Sequence, residues 1–130
     1  MSDRYLLDAS AVLALIANEP GADRVQPLMA RAAITGINMA EVVKKLREKG
    51  VPKREVEAVV SDLQIPIEPG PGNLRQSIEV GDVAAMGRAF GLSMGDAVCL
   101  AVASWSGRIP VTAERRWKEA VPEAEILTIR

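Results

Sequence analysis

Five short apolar segments, the first four each followed by one or two segments of helix length, constrain the fold of this 130-residue chain more than any other feature. They are mostly apolar and lack the alternation of a strand with one face in water, which is typical of strands covered on both faces. The predicted strands are Tyr5–Leu7, Ile34–Ile37, Ile65–Ile67, Ile109–Thr112 and Ile126–Ile129. Strands that alternate with helices predict an α/β fold with a parallel sheet, right-handed crossovers and helices on both faces.

Helical spacing of apolar residues predicts seven helices between and beside these strands: Ser10–Asn18, Ala22–Arg31, Met39–Lys49, Lys53–Leu63, Leu74–Phe90, Gly95–Trp105 and Glu114–Ala120. Pro27 lies inside the second helix and predicts a kink there. The sixth helix is apolar around its whole circumference, so we expect it to be fully buried. Because the sequence has no repeat and no linker, we predict one domain over residues 1–130.

The chain has no histidine and one cysteine, Cys99. Without histidine there is no Ser-His-Asp triad, no Cys-His pair and no His-ligated zinc site, and a single cysteine excludes an internal disulfide. If the protein is an enzyme, its chemistry therefore depends on carboxylates, hydroxyls, Lys or Arg, or a bound metal.

Charge and hydropathy narrow the expected location and partners. The net charge is −1 and the pI is about 5.5, so no overall basic field indicates a nucleic-acid-binding protein, although a local basic patch remains compatible with one. No apolar run approaches the roughly 20 residues of a membrane helix, and Asp8 interrupts the first apolar stretch, which is unlike a signal peptide. We therefore expect no membrane association and a cytoplasmic location.

Four carboxylates follow predicted strands or begin the helices after them: Asp8, Glu41, Asp96 and Glu114. In an open parallel sheet, the segments that leave the carboxyl ends of the strands converge on one crevice, where ligands bind. Four acids gathered there repel one another unless divalent cations offset their charge. An all-oxygen, carboxylate-rich set suits Mg²⁺ or Mn²⁺, so the pattern predicts a metal site.

Each acid also has a purely structural explanation. The segments Asn38–Glu41 and Ser93–Asp96 fit the capping box, in which an acid follows a polar N-cap residue by three positions. Asp8 is placed to cap the first helix, and Thr112 is placed to cap a helix whose first turn contains Glu114. Helix capping does not by itself require an Asp at the end of an apolar strand, as at Asp8, or at the start of the most apolar helix, as at Asp96. Both interpretations stay open at this point.

Four segments resemble PIN-domain nucleases, and more specifically the VapC-like toxins of bacterial toxin–antitoxin modules: YLLDASA at 5–11, NMAE at 38–41, LSMGDAVCLAVA at 92–103 and VTAERRW at 111–117. The similarity runs nearly end to end, in the same order and with family-like spacing. The third segment is its most specific part.

The resemblance implies a three-layer PIN-like fold with a five-stranded parallel sheet in the order 3-2-1-4-5. It places the metal-binding acids of the family at Asp8, Glu41 and Asp96, with Glu41 ligating directly or through one water. Around these acids it implies a second set of polar residues: Ser10, Asn38 and Thr112. The family usually has Asp where this chain has Glu114, so Glu114 is expected to reach a metal through water or to serve a second metal only.

The resemblance further implies a metal-dependent endoribonuclease that uses Mg²⁺ or Mn²⁺ and leaves 5′-phosphate and 3′-hydroxyl ends. It implies an RNA substrate, a small antitoxin protein that blocks the active site, and a homodimer. For contact with substrate phosphate we favour Arg115 or Arg116, because both follow Glu114 and Arg binds phosphate bidentately. The basic residues after Glu41 are further candidates for gripping the substrate, with a solvated helix face as the alternative interpretation: Lys44, Lys45, Arg47 and Lys49.

The main alternative is a catalytically weak PIN domain that acts as an RNA- or protein-binding module, a possibility that Glu114 raises. A phosphoacceptor receiver domain is disfavoured, because the third strand leads into Glu68-Pro69-Gly70 and not into a phosphoacceptor Asp. A phosphatase with an Asp-x-Asp nucleophile is disfavoured as well, because Ser10 occupies the second position of that motif.

Overall fold

The computed structural model describes residues 3–130, in which five strands form one sheet. Every neighbouring pair is parallel, and the strand order is β3-β2-β1-β4-β5, as the sequence analysis predicts. The strands are β1 (Tyr5–Leu7), β2 (Ala32–Thr35), β3 (Ile67–Glu68), β4 (Ile109–Thr112) and β5 (Leu127–Thr128). The carboxyl ends of all five therefore lie along one edge of the sheet.

The helices follow the predicted pattern: α1 (Ala9–Ala17), α2 (Ala22–Val25), α3 (Gly36–Glu48), α4 (Lys53–Asp62), α5 (Leu74–Gly87), α6 (Met94–Ser106) and α7 (Arg116–Ala120). The predicted second helix is divided: α2 ends at Val25, and a 3₁₀ segment, Gln26–Arg31, continues from it. Pro27 explains the division, because proline has no backbone N–H to donate to an α-helical bond. In the part of the chain that the structure describes, no helix is both long and apolar enough to cross a membrane.

Alternate residues of the central strands point to opposite faces of the sheet, and each face is covered by helices. Leu6 of β1 packs in a cluster with α5, α6 and α7, whereas Leu7 packs in a second cluster with α1, α2, α3 and α4. Residues Ala97–Ala103 of α6 are all buried, which confirms the prediction from their composition. The three layers position the helix N-termini against the carboxyl edge of the sheet.

The predicted boundary of β2 is wrong by two residues. We expected Ile34–Ile37, but β2 ends at Thr35, whose Oγ1 accepts a hydrogen bond of 3.2 Å from the N–H of Asn38 and so caps α3. Ile37 is consequently in the helix and 50% exposed. The prediction that Asn38 is the N-cap is also wrong: Asn38 lies in the first turn of α3, where its side chain is free for another contact.

Candidate active site

A cavity of about 350 Å³ at the carboxyl edge of the sheet is lined by all four predicted carboxylates: Asp8, Glu41, Asp96 and Glu114. They come from four separate segments of the chain: one follows β1, one lies in the second turn of α3, one lies in the first turn of α6, and one follows β4. The convergence that parallel topology predicts is therefore present. Glu19 also lines this cavity, as do three cations, Lys45, Lys49 and Arg130.

Asp8 is the most firmly held of the four acids. Its Oδ1 accepts hydrogen bonds from Ser10 Oγ at 2.7 Å and from the Ala11 N–H at 2.9 Å, and its Oδ2 accepts one from Thr112 Oγ1 at 2.7 Å. The bond from Ala11 makes Asp8 the N-cap of α1, so the capping interpretation holds for this residue. A carboxylate has about four acceptor positions. Three are used here, and the remaining one lies on Oδ2.

Burial controls the protonation of Asp8, which is 3% exposed. Desolvation, with a smaller contribution from the charge of Asp96, raises its pKa from 3.8 to about 6 against the lowering effect of the bonds from Ser10, Ala11 and Thr112. A buried, raised-pKa carboxylate beside a second carboxylate is a common feature of functional sites. A nearby positive charge would relieve this desolvation cost.

Asn38 connects α3 to α6 beneath the cavity. Its Nδ2 donates to Glu41 Oε1 at 2.8 Å and to the Gly95 carbonyl at 3.3 Å, so both amide hydrogens are used. The side chain is 1% exposed, and its Oδ1 has no hydrogen-bond partner in the described part of the chain. A buried acceptor without a partner costs about 1–3 kcal/mol. Asn38 therefore carries a buried, unsatisfied oxygen next to the cavity that it lines together with Glu41.

The lack of a side chain at Gly95 allows Glu41 to lie where it does. A Cβ at Gly95 would collide with Glu41 Oε1 and would lie 2.9 Å from Glu41 Cδ and 3.3 Å from Asn38 Nδ2. The carboxylate of Glu41 thus rests directly on the backbone of the first turn of α6. The same turn contains Asp96, so two acids from different helices come to the same wall of the cavity.

Asp96 forms the capping box that its spacing predicts. The N–H of Ser93 donates to Asp96 Oδ2 at 2.9 Å, and the N–H of Asp96 donates to Ser93 Oγ at 3.1 Å. This arrangement uses Oδ2 and leaves Oδ1 available to the cavity. Capping and a role in the site are therefore compatible for this residue.

Glu114 is placed differently from the other acids. Thr112 does not cap a helix. Its Oγ1 accepts from the N–H of Glu114 at 3.0 Å, and α7 begins only at Arg116. The side chain of Glu114 is 44% exposed and its Oε2 lies 3.2 Å from Arg116 Nη2. Glu114 thus lines the cavity while already sharing its charge with a cation.

The donor set suits a divalent cation, although it is not a finished ligand shell. Within residues 3–130, no group of three or more His, Cys, Asp or Glu side chains is arranged to hold a metal ion. Acceptor capacity nevertheless remains on residues that line the cavity, at Asp8 Oδ2, Asp96 Oδ1 and Asn38 Oδ1. All of the donors are oxygen atoms, which is the set that Mg²⁺ and Mn²⁺ prefer.

The cations of the site differ from those that the sequence favours. Arg115 and Arg116 do not line the cavity: Arg115 Nε donates to the Arg130 carbonyl at 2.9 Å, and Arg116 pairs with Glu114. Arg130 and Glu19 were missed, because they are 111 positions apart in sequence and only the fold brings them to 3.8 Å. Lys45 and Lys49 follow Glu41 by four and eight residues, a helical spacing that signals a shared face.

Fold and site together define an α/β protein with an acid-lined cavity at the carboxyl edge of a parallel sheet. Its sequence matches the PIN domain family over residues 5–121. The chain therefore belongs to the PIN-domain family, which confirms the resemblance at that level. A search of curated protein sequences gave no significant match.

Solved structures with the same fold cover almost the whole chain. PAE2754 from Pyrobaculum aerophilum is 25% identical with a TM-score of 0.61, and the alignment covers 95% of this chain and 90% of that one. A toxin–antitoxin complex from Klebsiella pneumoniae is 18% identical (TM-score 0.64; coverage 97% and 98%). A DNA-bound VapBC from Salmonella typhimurium is 20% identical (TM-score 0.67; coverage 98% and 97%). At 18% and 20% identity, the similarity to the last two structures shows a shared fold and nothing more.

Proposed function

We propose that this protein is a divalent-metal-dependent endoribonuclease that acts as the toxin of a toxin–antitoxin module. The observation that carries the proposal is the convergence of Asp8, Glu41, Asp96 and Glu114 on one cavity of a PIN-domain fold. Family membership supports nuclease activity, since PIN domains are generally nucleases. Two of the similar structures are toxin–antitoxin assemblies, which supports the toxin role.

In the proposed mechanism, Asp8, Asp96 and Glu41 would hold the cation, and Glu114 would contribute less directly than these three. A divalent cation supplies the nucleophile by lowering the pKa of water and offsets the charge that develops on the phosphate. Ser10 and Thr112 orient Asp8 and keep its Oδ2 directed to the cavity.

Two neighbouring residues have roles outside direct metal ligation. Asn38 positions Glu41 through their 2.8 Å hydrogen bond. Cys99 takes no part as a nucleophile, because burial raises the pKa of its thiol and keeps it protonated.

Metal dependence tests the proposal directly. Purified protein, freed of any bound antitoxin, is incubated with a panel of structured RNAs in Mg²⁺, in Mn²⁺ and in EDTA, and the ends of the products are mapped. We expect cleavage with either metal and none in EDTA, and products with 5′-phosphate and 3′-hydroxyl ends. Cleavage that continues in EDTA, or that Asp96→Asn leaves unchanged, contradicts the proposal.

The second candidate is a PIN domain that binds RNA or protein without cutting. It is favoured by the ion pair between Arg116 and Glu114, because this pair engages one of the four carboxylates. The same assay distinguishes it. Retention of labelled RNA on the protein with no cleavage in either metal supports the binding module. If Glu114→Ala keeps full activity, Glu114 alone is removed from the proposed site.

We further propose a cognate antitoxin that blocks the cavity and a homodimer of the toxin. Among residues 3–130, six large apolar side chains are at least half exposed, and they would be covered in such assemblies: Ile37, Ile67, Leu74, Ile78, Met86 and Met94. A short antitoxin-like reading frame immediately upstream of the gene is the expected genomic signature. Its absence counts against the toxin role.

The dimer has its own test on α5. By light scattering we expect the protein to have twice the 13.9 kDa mass of the chain, and Leu74→Glu combined with Ile78→Glu to return it to the single-chain mass. Arg75→Glu, on the same helix, is the matched control and should leave the mass unchanged. Wild-type protein that elutes as a monomer contradicts the dimer.

A further inference from the structure

Lys45 of α3 and Lys49, the residue that caps the C-terminus of α3, face the same cavity as the carboxylates. Lys45 and Lys49 line it together with Glu41, and the three residues are spaced by four, so they lie along one face of the helix. Successive members of this row are about 6 Å apart along the helix axis. The cavity is therefore acidic at the end that contains Asp8 and Asp96 and basic along the following two turns of α3.

Both lysines are free to bind an incoming anion. Within residues 3–130, neither forms a salt bridge, and both are exposed. The other cations nearby are engaged: Lys44 pairs with Glu48 at 3.5 Å, and Arg130 Nη1 donates to the Pro20 carbonyl at 2.8 Å and lies 3.8 Å from Glu19. The cavity-facing cations of α3 thus differ from their neighbours in having no protein partner.

We propose that Lys45 and Lys49 bind successive phosphates of the RNA strand beside the bond that is cut, so that the strand runs along α3. This inference rests on the proposed ribonuclease function and names the part of the site that holds the substrate. A polyanion that approaches five carboxylates is repelled unless cations lie along its path, and these two lysines supply that charge. The sequence favours Arg115 and Arg116 for contact with substrate phosphate, but both lie outside the cavity. We assign that contact to the two lysines instead.

RNA binding in a catalytically disabled background tests this assignment without cleavage. The probe is a fluorescein-labelled single-stranded oligouridylate, and the protein is the Asp8→Asn variant in Mg²⁺ buffer. Anisotropy titrations are repeated over a series of salt concentrations. We expect Lys45→Ala and Lys49→Ala each to weaken binding severalfold and to reduce the slope of log affinity against log salt by about 0.7, the value for one phosphate contact on a single strand.

Matched variants separate a phosphate contact from a general change of charge. Lys44→Ala makes the same change of charge one residue away, on a side chain that Glu48 already engages, and should leave the slope unchanged. Lys45→Arg should retain the slope, because the charge is kept. In the active wild-type background, Lys45→Ala should raise KM and leave kcat unchanged, as expected for uniform binding of substrate and transition state.

The possible failures are distinguishable. If wild-type protein cleaves no RNA in either metal and the Asp8→Asn parent binds none at any salt concentration, the proposed function fails together with this inference. If the parent binds RNA and Lys45→Ala and Lys49→Ala both behave as Lys44→Ala does, the assignment of these two lysines is overturned and the ribonuclease proposal stands. Thermal unfolding of each variant at the parent's temperature excludes misfolding as the cause of lost binding.

Discussion

Replacing Asp8 by Asn is expected to abolish RNA cleavage and at the same time to stabilise the metal-free protein. Loss of the carboxylate removes the acid that is held by three hydrogen bonds at the centre of the cavity. Stability should rise because the ionised Asp8 is buried at a cost: the increase of its pKa from 3.8 to about 6 corresponds to about 3 kcal/mol at neutral pH. Asn is uncharged and avoids this cost.

The hydrogen-bond network can accept the substitution. The Asn Oδ1 retains the bonds from Ser10 and Ala11, and its Nδ2 donates to Thr112 Oγ1, whose own hydrogen can turn to Ser10 Oγ at 3.3 Å. Since this rearrangement recovers only part of the network, we expect a gain of about 1–3 kcal/mol in the free energy of unfolding. Urea unfolding of both proteins in EDTA at pH 8 measures it.

The pH dependence has a definite sign. The raised pKa means that folded Asp8 binds its proton more tightly than unfolded Asp8 does, so the stabilisation by its protonation is present below about pH 4 and is lost as the pH rises to about 6. The stability difference between variant and wild type should therefore grow between pH 4 and 6 and then level off. Asp82→Asn, an exposed acid on α5, is the control and should show no such growth. An Asp8→Asn protein that is less stable than wild type at pH 8 contradicts the argument.

Replacing Gly95 by Ala is expected to lower kcat/KM by about 10²-fold while the protein stays folded, since displacing a catalytic group by about 1 Å can cost that much. The added methyl group collides with Glu41 Oε1 and forces the carboxylate off the first turn of α6. Because Gly95 lies in a helix at ordinary φ, Ala itself fits the backbone and favours the helix by up to about 1 kcal/mol. A loss of activity therefore reports on Glu41 and not on unfolding.

A double-mutant cycle tests whether Gly95→Ala lowers activity by displacing Glu41. If Gly95 acts through Glu41, the combination of Gly95→Ala with Glu41→Gln should be no worse than Glu41→Gln alone. Gly81→Ala is the matched control: a Cβ there meets nothing within 4 Å, so activity should be unchanged and the helix slightly stabilised. Additive losses in the cycle, or full activity of Gly95→Ala, would show that the contact with Glu41 is not functional.

Much of the fold was predictable because the signals are local. The bounds of β1 and β4 match the prediction, and the apolar stretch Ala97–Ala103 of α6 is buried as its composition indicates, although Ser104 and Met94 near the ends of the helix are exposed. The start of β2 was missed because Ala32 and Ala33 do not differ in pattern from the helical segment before them. Its end was missed because Ile37 is apolar yet half exposed, and the cap of α3 is supplied by Thr35.

The acids and the cations of the site differ in how far the sequence reveals them. Asp8, Glu41, Asp96 and Glu114 were found together, because parallel topology gathers whatever follows the carboxyl ends of the strands. Parallel topology does not indicate which Lys or Arg residues lie at the site. Nearness in sequence to Glu114 favours Arg115 and Arg116, which do not line the cavity. Their side chains turn instead to the Arg130 carbonyl and to Glu114.

The sequence by itself thus determined the fold class, the strand order through family resemblance, and the set of acids that meet at one edge of the sheet. Only the tertiary structure decided which cations lie beside these acids and which acid is desolvated. It also decided which atom of the site, Asn38 Oδ1, is buried without a hydrogen-bond partner. The physical reason is that periodicity and strand–helix order are properties of neighbouring residues. Burial of Asp8, the contact of Glu41 with Gly95 and the exposure of Lys45 to the cavity depend instead on how distant segments pack against one another.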